Sequence, residues 1–201
     1  MMKKKEIQPT PVELIPVKCP GCKKSIRSGG QDIFFYCDYC DTGYELSGNK
    51  LRPVVLEFKR YRGKLKGEAR NIPFWAFRAK LTIHLREASH TTTSLFSELG
   101  KLLSGKIPGM RSKSELMFYV PAHQSPPDKI ASLGRRFTIN QPVFEDSEFC
   151  EFEELAYNSE DAAKLADYIF LSSEIEKPDV ISRLKYTLEL KMPRLVIVSF
   201  V

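Results

Sequence analysis

Cys19-Pro20-Gly21-Cys22 and Cys37-Asp38-Tyr39-Cys40 stand fourteen residues apart, and their reading decides what kind of chain this is. Two residues between paired cysteines make a tight turn that aims both sulfurs at one point. Two such turns supply a tetrahedral donor set with metal–sulfur distances of roughly 2.3 Å. Between the pairs, Ser28-Gly29-Gly30 reads as a turn and Ile33-Phe34-Phe35-Tyr36 as a strand entering the second pair. Tyr44-Glu45-Leu46 reads as the strand leaving it.

Four thiolates define the chemistry. A working zinc keeps a position open for water beside three protein ligands, whereas four sulfurs close the sphere, so the expected Zn2+ is structural. Thiolates also accept iron. Zinc is the reading here because a redox carrier rarely needs a large attached domain. Asp38 and Asp41 lie in the second pair, but sulfur already fills the positions they would take. With four of five cysteines spent this way, the pattern suits a reducing compartment better than a disulfide framework. Cys150 sits in Glu148-Phe149-Cys150-Glu151-Phe152, where nearby carboxylates disfavour a thiolate, and reads as a structural thiol.

The C-P-x-C turn and the strand-borne aromatic before the third cysteine resemble the zinc-ribbon class with rubredoxin-type knuckles, over residues 17–48. The resemblance implies a metal-stapled ribbon and no activity. Such knuckles often carry glycine after the second cysteine; here Lys23 and Asp41 stand there. Asp41 tolerates a left-handed backbone, and Lys23, with Lys18, Lys24 and Arg27, offsets the negative charge of a zinc tetrathiolate.

Outward from the ribbon, residues 1–16 read as a flexible basic, proline-rich tail with Lys3, Lys4 and Lys5. Residues 49–201 read as the larger domain. Val54, Leu56 and Phe58 alternate with Val55, Glu57 and Lys59, a strand pattern. Phe74–His84 alternates best, with Trp75, Phe77, Ala79, Leu81 and Ile83 on a core face and Arg78 and Lys80 on a wet one. Residues 59–70, with two glycines, read as a long hairpin loop between these strands. A helix is expected from Thr93 or Ser94 to Leu103, then a loop over 105–114 and a strand over 115–121. A helix of one or two turns follows from Pro126 to Leu133, and a second starts at Asn158-Ser159-Glu160-Asp161. The acidic stretch from Glu145 to Glu154 reads as a strand with one wet face. Tyr186–Leu190 and Leu195–Val201 read as a hairpin around Lys191-Met192-Pro193-Arg194. Strands first, then helices and a hairpin, give an α+β class: a small N-terminal zinc ribbon followed by a larger, mostly antiparallel α+β domain. The prolines and paired aromatics of that domain resemble those of uncharacterised bacterial proteins that append it to a zinc ribbon.

No run approaches the roughly 18 apolar residues of a membrane helix, and no secretory pattern opens the chain, so no membrane insertion and a cytoplasmic setting are expected. The net charge of +6 hides a basic front and an acidic back, which concerns partners rather than fold. Lys59, Arg60, Arg62, Lys64 and Lys66, together with Lys23, Lys24 and Arg27, are candidates for contact with nucleic acid or another anionic partner, and Tyr61 for stacking. His84, His90 and His123 lack the spacing of a metal or nucleophile–base set. No phosphate-binding glycine loop or nucleophile elbow is present, so the chain leans away from enzymes and no small-molecule substrate is identified. The expected function is a zinc-binding accessory protein that docks another protein. The alternative is a nucleic-acid-binding accessory factor.

Overall fold

The computed structural model describes residues 17–26, 32–63, 70–88, 116–176 and 180–200. The tail 1–16, the turn 28–30, Arg27, Lys64, Lys66, the helix expected over 93–103 and the loop 105–114 lie outside them.

Seven strands form one sheet: β1 (Phe34–Cys37), β2 (Thr42–Ser47), β3 (Lys50–Tyr61), β4 (Asn71–Ala88), β5 (Leu116–Pro121), β6 (Glu145–Asp146) and β7 (Ile181–Phe200). Their order is β1-β2-β3-β7-β4-β5, with β6 on β3. Every pairing is antiparallel except β3 with β7. Among the described residues, two helices, α1 (Pro127–Asn140) and α2 (Ser159–Ile175), join the sheet in a mixed α+β fold built mainly of strands. No helix among the described residues is long and apolar enough to cross a membrane.

Position in the sheet follows from hydrophobicity. Leu195, Ile197 and Val198 are fully buried, as a central strand covered on both faces requires. Accordingly β7 lies between β3 and β4, so the two strands expected to flank a hairpin loop at 59–70 do not pair with each other; Lys59, Arg60 and Tyr61 belong to β3 itself. Nor is the C-terminal region a hairpin. β7 runs unbroken for 20 residues beside β4. Lys191 faces Arg78 and Arg194 faces Ala76, so the extra residue bulges, with Met192 at φ 50. The exposed Met192-Pro193 pair mimicked a turn because proline cannot donate to the ladder.

The period-two pattern of β4 holds, but its second face is wet only in part. Trp75, Phe77, Ala79 and Leu81 join one core cluster with Ala162, Ala166, Ile169 and Phe170 of α2. Ile72, Phe74 and Ala76 join another with Phe137 of α1, Tyr119 and Phe200. Helix α1 runs past Leu133 to Asn140 because Phe137 and Thr138 are buried against the sheet. Gly134 makes that approach possible: a Cβ there would meet Ile169 Cδ1 at 2.7 Å and the Tyr119 carbonyl at 2.9 Å. The acidic stretch is a strand only at Glu145–Asp146; residues 147–154 carry no regular structure, with Phe152 packed against the core and Phe149 exposed.

Candidate metal centre

The first cysteine pair is held by its own backbone. Cys22 N–H points at Cys19 Sγ (3.4 Å), Lys23 N–H donates to the Cys19 carbonyl (2.9 Å), and Cys19 N–H donates to the Lys24 carbonyl (2.8 Å). In the second, Cys40 N–H donates to the Cys37 carbonyl (3.3 Å) and the Thr42 hydroxyl to the Cys40 carbonyl (2.9 Å). Lys23 (φ 65) and Asp41 (φ 48) take the left-handed conformation that the glycine-like positions demanded.

The four sulfurs lie within 4.8 Å of one another, with Cys19 to Cys40 at 3.6 Å and Cys22 to Cys37 at 3.5 Å. A tetrahedral ion with bonds of roughly 2.3 Å sets sulfurs about 3.8 Å apart, so the cage suits a zinc-sized cation. Among the described residues these cysteines are the one cluster of three or more such side chains. Ile26, Phe35 and Tyr44 pack around Cys19 and Cys37 as a small apolar core.

Charge within the cage is unevenly distributed. The Tyr44 hydroxyl, 3.4 Å from Cys19 Sγ, pulls that thiol down to about 6 against the effect of burial. Tyr44 itself is pushed up to about 12, first by that same contact. Cys40 rises to about 11: the Thr42 hydroxyl lowers it, but burial and the other thiols outweigh that. Cys22 is raised as well, since burial and the Cys37 sulfur overcome the help of the backbone at Lys24. One thiolate thus discourages the next, an opposition that a divalent cation removes.

The basic residues fall into separate settings. Lys23 Nζ donates to the Pro20 carbonyl (2.8 Å), and Lys24 Nζ sits 3.8 Å above the exposed Tyr39 ring. Lys59 is held by Asp146 (2.5 Å) and Glu57 (3.3 Å), and Arg62 by Glu145 (2.8 Å). Arg60 is exposed. Tyr61 packs among Phe137, Phe144 and Phe200, with centroids 5.4–6.2 Å away, so its ring is committed to the core. The acidic stretch answers the cations of β3. Cys150 is half-buried, its sulfur 3.5 Å from Ser199 Oγ. His84 bonds Thr187 (2.8 Å), and His123 is buried beside Leu155.

Sequence reasoning missed how the cysteine-bearing strands meet the rest of the sheet. β3 pairs with β2 through Val54 and with β7 from Val55 onward. Buried Glu45 on β2 accepts the Ser159 N–H (2.9 Å) and hydroxyl (2.8 Å) at the start of α2. Ser47 donates to Glu160 (2.8 Å), which also pairs with Arg52 (3.1 Å). Tyr36 stacks on Phe149 at 5.3 Å, and Phe34 meets Phe152 edge-on at 6.1 Å. A buried-side glutamate on a ribbon strand was the available signal, but its partner lies 114 positions away.

Compared with protein-family models, with curated proteins and with solved structures, the chain matches none.

Proposed function

We propose that this chain is a zinc-binding accessory protein in which residues 17–48 form a ribbon stapled by one structural Zn2+ and residues 49–201 form the body, with 1–16 as a tail. The ribbon serves to dock another protein, in the cytoplasm, and the reading leans away from an enzyme. The observation that carries the metal half is the convergence of four sulfurs from two turns, a donor set that leaves a tetrahedral ion no open position. For the docking half, the support is the anchoring of β2 through Glu45 and Ser159, which gives a small ribbon a rigid base. The nucleic-acid reading loses ground because Lys59 and Arg62 are answered by carboxylates and Tyr61 is packed away.

Metal analysis of chelator-free protein tests the first half; about one zinc per chain is the expected result, and well under one overturns it. Affinity capture from the native host, comparing wild type with Cys37→Ser/Cys40→Ser, tests the second. Partners retained after loss of the metal would remove the ribbon as the docking surface.

A further inference from the structure

A cleft of about 480 Å³ opens between the outer ribbon strand and the chain leading into α2. Asp32, Phe34 and Tyr36 line one side, Phe152 and Glu154 the other, and Gln124 completes it. No lysine, arginine or histidine is among its lining residues. Glu154 is exposed and has no ion-pair partner among the described residues, while its neighbour Glu153 is engaged by Arg70 (2.9 Å). Phe34 meets Phe152 edge-on, and Tyr36, its hydroxyl bonded to Asp41 (3.1 Å), stacks on the exposed Phe149.

Carboxylates beside aromatic rings select a particular ligand chemistry. A hydrated metal ion gains little from ring faces, and a phosphate is repelled by Glu154. A guanidinium satisfies both walls, because its plane stacks on a ring while its forked N–H groups reach a carboxylate. The volume lies within the roughly 300–1,000 Å³ of ligand pockets, ample for one long side chain. β1 is the outermost strand and has β2 as its one sheet partner among the described residues, so an extended segment can run along its free edge and drop a side chain into the cleft. We propose that this cleft receives an arginine side chain from an extended segment of a partner protein. The inference rests on the docking reading above and names the chemistry of the partner.

The test is an NMR titration of the zinc-loaded full chain with acetyl-Ala-Arg-Ala-amide, set against the same peptide carrying neutral citrulline or lysine. Amide shifts confined to residues 32–36 and 152–156, absent with citrulline and weaker with lysine, are expected. Glu154→Gln, an exposed change that leaves the core intact, is expected to weaken the arginine peptide about tenfold. Shifts scattered over the acidic surface, equal binding of citrulline, or no effect of Glu154→Gln would each overturn the proposal. Host partners captured equally by wild type and Glu154→Gln would overturn the cleft and leave the docking reading standing. A wild type that captures nothing, yet binds the peptide at the cleft, would overturn the docking reading instead.

Discussion

The Glu45 carboxylate takes two hydrogen bonds from Ser159, the N–H at 2.9 Å and the hydroxyl at 2.8 Å, although the two residues are 114 positions apart. An acid at a helix start satisfies an orphan donor and complements the helix dipole. Buried as it is, the contact ties the start of α2 to the strand that leaves the cysteine cluster. Glu45→Ala is expected to destabilise the chain by about 1–3 kcal/mol, since it leaves the Ser159 donors buried and unmet. Urea unfolding measures the loss. Hydrogen exchange should locate it at the first turn of α2, and unchanged protection there would refute the assignment.

Metal removal should be felt far from the cysteines as well as beside them. Trp75 is buried far along the chain from the cysteines, and its Nε1–H donates to the Tyr157 carbonyl (2.8 Å), just ahead of α2. A bound ion stabilises whatever must fold to hold it. Stripping zinc with a chelator is therefore expected to shift the Trp75 fluorescence transition to lower denaturant. A Trp75 transition indifferent to chelator would separate the two parts energetically.

Lys23 occupies a left-handed backbone position that glycine adopts without strain. Lys23→Gly relieves that strain and forfeits an exposed bond to Pro20 and one of several surface cations near the sulfurs, so with strain the larger effect the metal-loaded protein is expected to gain about 0.5 kcal/mol. Lys23→Val, branched at Cβ, should lose stability instead. Paired denaturation midpoints decide it; a valine variant as stable as glycine would contradict the backbone argument.

Acid should weaken the fold through His123. Burial lowers its pKa, with Glu153 working against the shift and Arg70 with it. The neutral ring is thus favoured in the folded chain. Its contribution is whole above the ordinary value of about 6.5 and is lost as pH falls through the lowered folded value, because the unfolded chain takes up the proton first. His123→Gln is expected to flatten the fall in stability between pH 7 and pH 5. Any acid release of metal is common to both proteins, so the difference between their profiles isolates the histidine, and identical slopes would exonerate it.

What the sequence made legible was local. Two residues between cysteines, the positions of Lys23 and Asp41, and the start of α2 are set by neighbours a few places away; Asn158 indeed accepts from the Asp161 N–H at 2.9 Å. The alternation of β4 was readable for the same reason. The insertion of β7 between β3 and β4 was not, because the partners of Leu195–Phe200 are chosen by burial across distant segments. Lys191-Met192-Pro193-Arg194 has the composition of a turn, and only the ladder on either side reveals a bulge. The acidic stretch misled likewise: its carboxylates answer Lys59 of β3 and Arg62 just beyond it, and its phenylalanines meet Phe34 and Tyr36 of β1, none of them adjacent in sequence.

The division of β3 at Val54 and Val55 has a consequence for anyone who would cut the chain. Excising everything before Leu51 strips one flank of that strand and leaves naked amides and carbonyls, an invitation to cross-pairing between molecules. The body is then a sticky fragment rather than a portable cassette, and the ribbon a loose end without its wall.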